Sequence, residues 1–127
     1  MSTENHQPER GDVWLVDFDP TVGAEIRKTR PAIVISSDSV GRLPVKLVAP
    51  ITSWKDAFTN NLWHVRIEPD GQNGLARTSV VDLLQIRGVD TRRFAIRLGN
   101  VTSSVLDEIG AALVAVIEFE LETPVLP

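Results

Sequence analysis

The sequence predicts a mainly β domain completed by one C-terminal helix: a small, strongly curved sheet or partial barrel of five to seven short strands. Three observations lead there. Short runs rich in valine, isoleucine and aromatic residues recur between Arg10 and Leu98, with turn signals between them. One stretch of helical periodicity follows, reaching Ile117. The 127 residues include no cysteine, so a single hydrophobic core must hold the chain without disulfides, a thiolate nucleophile or a cysteine zinc site.

Residues 1–9 are polar, contain Pro8 and show no periodicity, and read as a flexible tail. Val13-Trp14-Leu15-Val16-Asp17-Phe18 is a strand that ends at the turn signal Asp19-Pro20. Pro31-Ala32-Ile33-Val34-Ile35-Ser36 is apolar almost throughout, as for a strand buried on both faces. Val45-Lys46-Leu47-Val48-Ala49 follows a turn and runs on through Pro50 to Ile51. Trp63-His64-Val65-Arg66-Ile67 alternates, so one face is buried and the other wet. Ser79–Leu83, a short segment Gln85-Ile86-Arg87, and Phe94–Leu98 complete the set. The helix is capped by Ser103 or Ser104 and carries one apolar stripe of Leu106, Ile109, Leu113, Val116 and Ile117. Gly110 within it costs about 1 kcal/mol relative to alanine and requires a packing reason. Pro124 and Pro127 mark a flexible tail at 120–127, leaving a single domain over residues 10–119. The polar N-terminus lacks the apolar centre of a signal peptide, and the apolar stretch 109–117 is less than half a bilayer span, so a soluble cytoplasmic protein is expected.

The net charge of −4 argues against a nucleic-acid partner, but its distribution does not. Residues 1–20 sum to −4 and residues 101–127 to −5, whereas residues 21–100 sum to +5. Ten of the 13 basic residues are arginine, which binds phosphate in bidentate fashion. An anionic partner fits if those arginines share a face; ordinary solvated strands fit the charge equally well.

Two places carry candidate chemistry. The loop after the first strand sets Glu25 near Arg27, Lys28, Thr29 and Arg30, and Pro31 restricts Arg30 to an extended conformation at the mouth of a buried strand. A guanidinium fixed there can hold a phosphate; the same loop also reads as a surface turn with a glutamate–arginine salt bridge. After the third strand, Thr52 and Ser53 offer hydroxyls to a phosphate and Trp54 a stacking face, with Lys55 beside them. An ordinary Ser/Thr turn with a tryptophan covering the core is the alternative. Asp17 and Asp19 are explained by the Asp-Pro turn, and no metal site is expected. His64, with no histidine partner in the folded part, reads as a surface or interface residue, and Trp63 as a core residue.

Three blocks in order, Arg10-Gly11-Asp12-Val13-Trp14, Asp17-Phe18-Asp19-Pro20-Thr21-Val22-Gly23-Ala24-Glu25 and Arg30-Pro31-Ala32-Ile33-Val34-Ile35-Ser36, resemble the opening of the MazF/PemK toxins. Pro50-Ile51-Thr52-Ser53, Gly74-Leu75-Ala76 and Val81-Asp82-Leu83-Leu84-Gln85-Ile86 are similar to later family segments, so the resemblance spans residues 10–119. Ile26 departs from the glutamine usual there. The resemblance implies an SH3-like, CcdB-like barrel and a homodimer. It implies a metal-independent, cofactor-free endoribonuclease toxin that cleaves single-stranded RNA selectively, to 2′,3′-cyclic phosphate and 5′-hydroxyl ends. Arg30 and Thr52 are then catalytic, Glu25 is a base or the group orienting Arg30, and Arg27, Lys28, Thr29, Ser53, Trp54 and Lys55 bind RNA. The implied partner is a cognate antitoxin with a disordered acidic segment. A gyrase-poisoning toxin of the same fold would need a C-terminal Trp-Gly-Ile, which the end Glu122–Pro127 lacks; a silent RNA-binding member would not need Arg30 and Thr52.

Overall fold

Seven strands and one helix form in the order the residue pattern requires, in a computed structural model that describes residues 7–120. They are β1 (Asp12–Asp17), β2 (Thr29–Val34), β3 (Val45–Ser53), β4 (His64–Ile67), β5 (Ser79–Asp82), β6 (Arg87–Asp90), β7 (Phe94–Asn100) and α1 (Ser103–Val116). All pairings are antiparallel, and the strands lie in the order β4-β5-β3-β2-β1-β7, with β6 also on β3. The sheet is barrel-like but not closed, which agrees with the expected mainly β fold with a terminal helix. No helix among the described residues is long and apolar enough to cross a membrane.

β3 is the axis of this sheet. Along one edge it pairs with β2, Ala32 facing Pro50 and Val34 facing Val48. Along the other it pairs first with β6, Val45 facing Asp90 and Val48 facing Arg87, and then with β5, Ile51 facing Val81 and Ser53 facing Ser79. Between β5 and β6 the chain makes a 3-10 turn, Leu83–Gln85, capped by the Asp82 side chain on the Leu84 amide. The sequence segment Gln85-Ile86-Arg87 is therefore mostly turn, and the strand lies further on at Arg87–Asp90. Pro50 is tolerated because of that interruption. The Leu47 carbonyl accepts from Ile35 on the β2 side, so by strand alternation residues 46, 48 and 50 aim their main-chain groups at the other edge. Pro50 thus meets the gap between β6 and β5, where its missing N–H forfeits no ladder bond.

Alternate residues fill the two faces. Val13, Ile33, Ala49, Ile51, Val65, Ile67 and Val81 pack beneath α1, whose Ile109 is buried among them. Val16, Ala32, Val34, Val48 and Val89 gather around buried Phe18 on the opposite face, edged by Trp14 and Phe94. The helix begins one residue earlier than the serines suggest, with the Thr102 hydroxyl accepting from the Val105 amide at 3.3 Å. Gly110 has no packing reason: a Cβ built there meets nothing within 4 Å. Of the tails expected at 1–9 and 120–127, residues 1–6 and 121–127 lie outside the described residues. Pro8 is buried, and the Glu9 amide donates to the Asp12 carboxylate at 2.9 Å.

One long loop, residues 68–78, is held rigidly by two devices. Buried Asn73 accepts from the Leu75 amide at 3.0 Å and donates to the Glu68 carbonyl at 2.9 Å. The loop also lies directly on β7. A Cβ on Gly99 would fall 2.1 Å from the Gln72 carbonyl oxygen, and one on Gly74, whose φ is +71°, would fall 2.3 Å from that of Leu98. Backbone cannot approach backbone this closely past any side chain.

Gly99→Ala is therefore expected to destabilise the protein by about 2–3 kcal/mol, seen as a lower urea midpoint at unchanged slope. Gly110→Ala is expected to do the reverse, adding about 0.5–1 kcal/mol. A loss of stability in Gly110→Ala would show that the position is covered.

Candidate functional site

Continuing the β2–β3 register by two residues sets Arg30 opposite Thr52, on the same face of adjacent strands. The structure brings both to one groove of about 300 Å³, lined also by Pro31, Ile51, Ser53 and Ser79, and by Leu75, Ala76 and Arg77 from the 68–78 loop. Arg30 is half-exposed, and its Nε donates to the Arg27 carbonyl at 3.3 Å, which holds the guanidinium against the β2 wall. Thr52 is half-buried and Ser53 exposed. A guanidinium and hydroxyls lining one groove form a donor set for a tetrahedral oxyanion.

Glu25 lies elsewhere. It lines a neighbouring cavity of about 330 Å³ with Phe18, Ile26, Pro50, Gln85 and Arg87, and its Oε1 accepts from the Val22 amide at 2.6 Å. Among the described residues it makes no ion pair with Arg27, Lys28 or Arg30, so the salt bridge the loop sequence allowed does not form. Pro50 lines this cavity and its neighbour Ile51 lines the groove, so the two meet at adjacent positions of β3. The loop is clamped from outside its own sequence. Gln85 Oε1 accepts from the Ile26 amide at 3.1 Å and its Nε2 donates to the Ala24 carbonyl at 3.2 Å. Ile26 is thus held through its main chain. Asp17 accepts from the Asp19 amide and Asp19 from the Lys28 amide, so these two carboxylates shape the turn. Among the described residues no three histidine, aspartate or glutamate side chains gather as a metal-ligand set.

Thr29 begins β2 beside Arg27 and Lys28, all three exposed, and Lys55 is exposed after β3. Trp54 does not line the groove. The Arg66 guanidinium lies 5.0 Å from its ring centre, Phe58 meets it edge-on at 6.0 Å, and its amide donates to the Thr78 carbonyl. Arg66 is fixed in turn by Glu68, which accepts from Arg66 Nε at 2.9 Å and from the Thr78 hydroxyl at 2.6 Å. The Thr78 hydrogen bond above all, with Arg66 beside it, holds the Glu68 carboxyl below the usual glutamate range. His64 is not a surface residue. Its side chain is 7% exposed, 3.6 Å from Asp82 and 3.2 Å from the Asn61 amide, with the Phe58 ring 4.4 Å away. Trp63 is half-buried beside it rather than part of the core.

The central positive charge is partly consumed by structure. Arg66, Arg92 and Arg97 pair with Glu68, Asp90 and Asp12, and Arg87 and Arg93 donate to the carbonyls of Phe18, Asp17 and Asp19. Lys46 is buried, its ammonium 3.4 Å from the Gly41 carbonyl. Sequence reasoning missed Arg77, because only the folding of the 68–78 loop against the sheet brings residue 77 to the groove of Arg30 and Thr52. Gln85 was visible only as part of a similar segment; its clamp spans 59 residues of sequence to Ile26.

A family model described as PemK-like, MazF-like toxin of type II toxin–antitoxin system matches residues 9–117. The chain is 34% identical over 115 residues to Endoribonuclease EndoA of Bacillus subtilis, covering 87% of this chain and 97% of that one. It is 36% identical over 105 residues to Endoribonuclease PemK of Escherichia coli, covering 80% and 75%. Among solved structures, MazF from Deinococcus radiodurans superposes with a TM-score of 0.74 at 26% identity, covering 91% of this chain and 100% of that one. An endoribonuclease from a mycobacterial species, solved with its cognate antitoxin, shares the fold at a TM-score of 0.72 and 18% identity, covering 91% and 100%.

Two measurements check this geometry. Because the Glu68 pKa is lowered by folding, its stabilising contribution is complete above the unfolded value of about 4.3 and is lost as pH falls through the lower folded value. Trp54 fluorescence should stay constant above pH about 4.3 and change below it, and Thr78→Val should move that change to higher pH. Gln85→Ala should speed exchange of the Ile26 amide by about tenfold while leaving the core amides protected.

Proposed function

This chain belongs to the PemK-like, MazF-like toxin family of type II toxin–antitoxin systems, and we propose that it is an endoribonuclease toxin cutting single-stranded RNA without a metal. The observation that carries this reading is the meeting of Arg30 and Thr52 in one groove. In the proposed reaction a ribose 2′-oxygen attacks the adjacent phosphorus as the bond to the 5′-oxygen breaks. The products are a 2′,3′-cyclic phosphate and a 5′-hydroxyl. The nucleophile belongs to the substrate, so the protein must supply charge stabilisation and proton transfer. Arg30 and the Thr52 hydroxyl donate to the phosphoryl oxygens as negative charge grows on them. Arginine keeps its proton, so it is not the base. Glu25 takes the 2′-proton from a ribose placed over Pro50 and Ile51, where its cavity and the groove adjoin, and the 5′-oxygen leaves with a proton from solvent.

Selectivity comes from unpaired bases lying over the loops at 21–29 and 53–62, read on their edges and stacked on the half-exposed Trp54. Arg27, Lys28, Thr29, Ser53 and Lys55 hold the strand through its phosphates. The same cations, with Arg30, give an acidic, disordered antitoxin segment its landing surface, so that inhibitor and substrate compete. A second copy of the chain covers the exposed apolar patch of Leu43, Val45 and Leu47, which are 60%, 45% and 38% exposed. The single domain of residues 10–119 acts in this way in the cytoplasm.

Purified protein in excess chelator should cut mixed-sequence RNA to fragments that mass spectrometry identifies by cyclic-phosphate ends. Arg30→Ala should lower the rate about 100- to 1,000-fold. Thr52→Val should lower it less, by about 10-fold, the loss of one neutral donor. Glu25→Gln should flatten the acid limb of the pH–rate profile. Intact RNA, or activity that appears only when metal is added, would refute the reading.

A further inference from the structure

The groove holds a second guanidinium that the reaction above does not use. Arg77 lines it from the 68–78 loop, is exposed, and makes no side-chain hydrogen bond or ion pair among the described residues. Elsewhere in the central region six arginines are tied to carboxylates or carbonyls, Arg30 among them, which leaves Arg77 as the untied arginine of this groove among the described residues. Its backbone is no mobile tether. The Arg77 carbonyl accepts from buried Ser79 Oγ at 2.7 Å, Thr78 is bonded to Glu68, and the loop is locked by Asn73, Gly74 and Gly99. The protein thus fixes the base of a long cationic side chain and leaves its head free.

Position decides what the head can hold. Thr52 faces Val80 on β5, and residue 77 lies three residues before Val80, in the loop that enters β5, on the far side of β3 from Arg30. Strand spacing and rise place the Arg30 and Arg77 backbones roughly 10 Å apart across the sheet and a further 10 Å along it. Arg30 is held at its own wall by the Arg27 carbonyl. The two guanidiniums therefore enter from opposite walls at different levels, an arrangement for two successive anions of a strand rather than for one. On the ribonuclease reading given above, we propose that Arg77 grips the phosphate next to the scissile one, and so fixes the register in which RNA lies across Arg30 and Thr52.

The test uses short RNAs in which a single neutral methylphosphonate replaces the linkage on one side or the other of the cut. With all-phosphate RNA, Arg77→Gln should raise KM by about 10- to 100-fold with little change in kcat, and Arg77→Lys should recover much of the loss. With the neutral linkage at the position Arg77 contacts, wild type and Arg77→Gln should become equal. The log–log salt slope for binding a 2′-O-methyl oligonucleotide, which cannot be cut, should fall by about 0.7 in Arg77→Gln. A defect that persists at full size with either neutral linkage, or an unchanged slope, overturns the proposal. So does an Arg77→Gln protein as active as wild type. If wild type cuts no RNA yet binds the 2′-O-methyl strand with an Arg77-dependent slope, the ribonuclease reading fails and the phosphate grip stands.

Discussion

The registration of β3 between β2 and β5 is the constraint on which the site depends. Slipping either pairing by one residue would turn every side chain of the moved strand to the opposite face. Arg30 would then leave the wall it shares with Thr52, and the valines and isoleucines beneath would be driven into water. The buried alternation of Ile33, Ala49 and Ile51 against Ala32, Val34 and Val48 fixes the register by hydrophobic burial. The geometry of the groove is thereby tied to core packing, and cannot drift while the core stays intact.

Much of this was legible in the sequence, for stated physical reasons. Strand-forming runs bounded by turn residues gave six of the seven strands, and helical periodicity gave α1. Arg30 could be singled out because proline follows it, and Thr52 because it ends an apolar run. What stayed hidden depends on distance in sequence. The Leu83–Gln85 turn shifts β6 away from Gln85-Ile86-Arg87, and nothing local reports a gap opposite Pro50. His64 alternates with its neighbours as a half-wet strand residue would, yet Asn61, Phe58 and Asp82 enclose it. Glu25 sits close to Arg30 along the chain, but the loop bends it towards Val22 and Gln85 instead.

Charge gives the same lesson in another form. A net −4 hides a central segment of +5, but counting within that segment also misleads. Arg93 closes the turn after β1, Arg87 caps Phe18, and Lys46 is folded inside the sheet. Among the described residues the cations of this segment left without such partners are Arg27, Lys28, Arg42, Lys55 and Arg77, all exposed. Structure, rather than composition, separates the arginines that build the fold from those that face outwards.

The Gln85 clamp touches the loop after β1 only through the peptide groups of Ala24 and Ile26. Its grip is indifferent to what those two residues carry beyond Cα. The side chains of Ala24 and Ile26, which line the cavity beside the groove, are therefore exchangeable parts in a fixed frame, free to differ without any rebuilding of the scaffold around them.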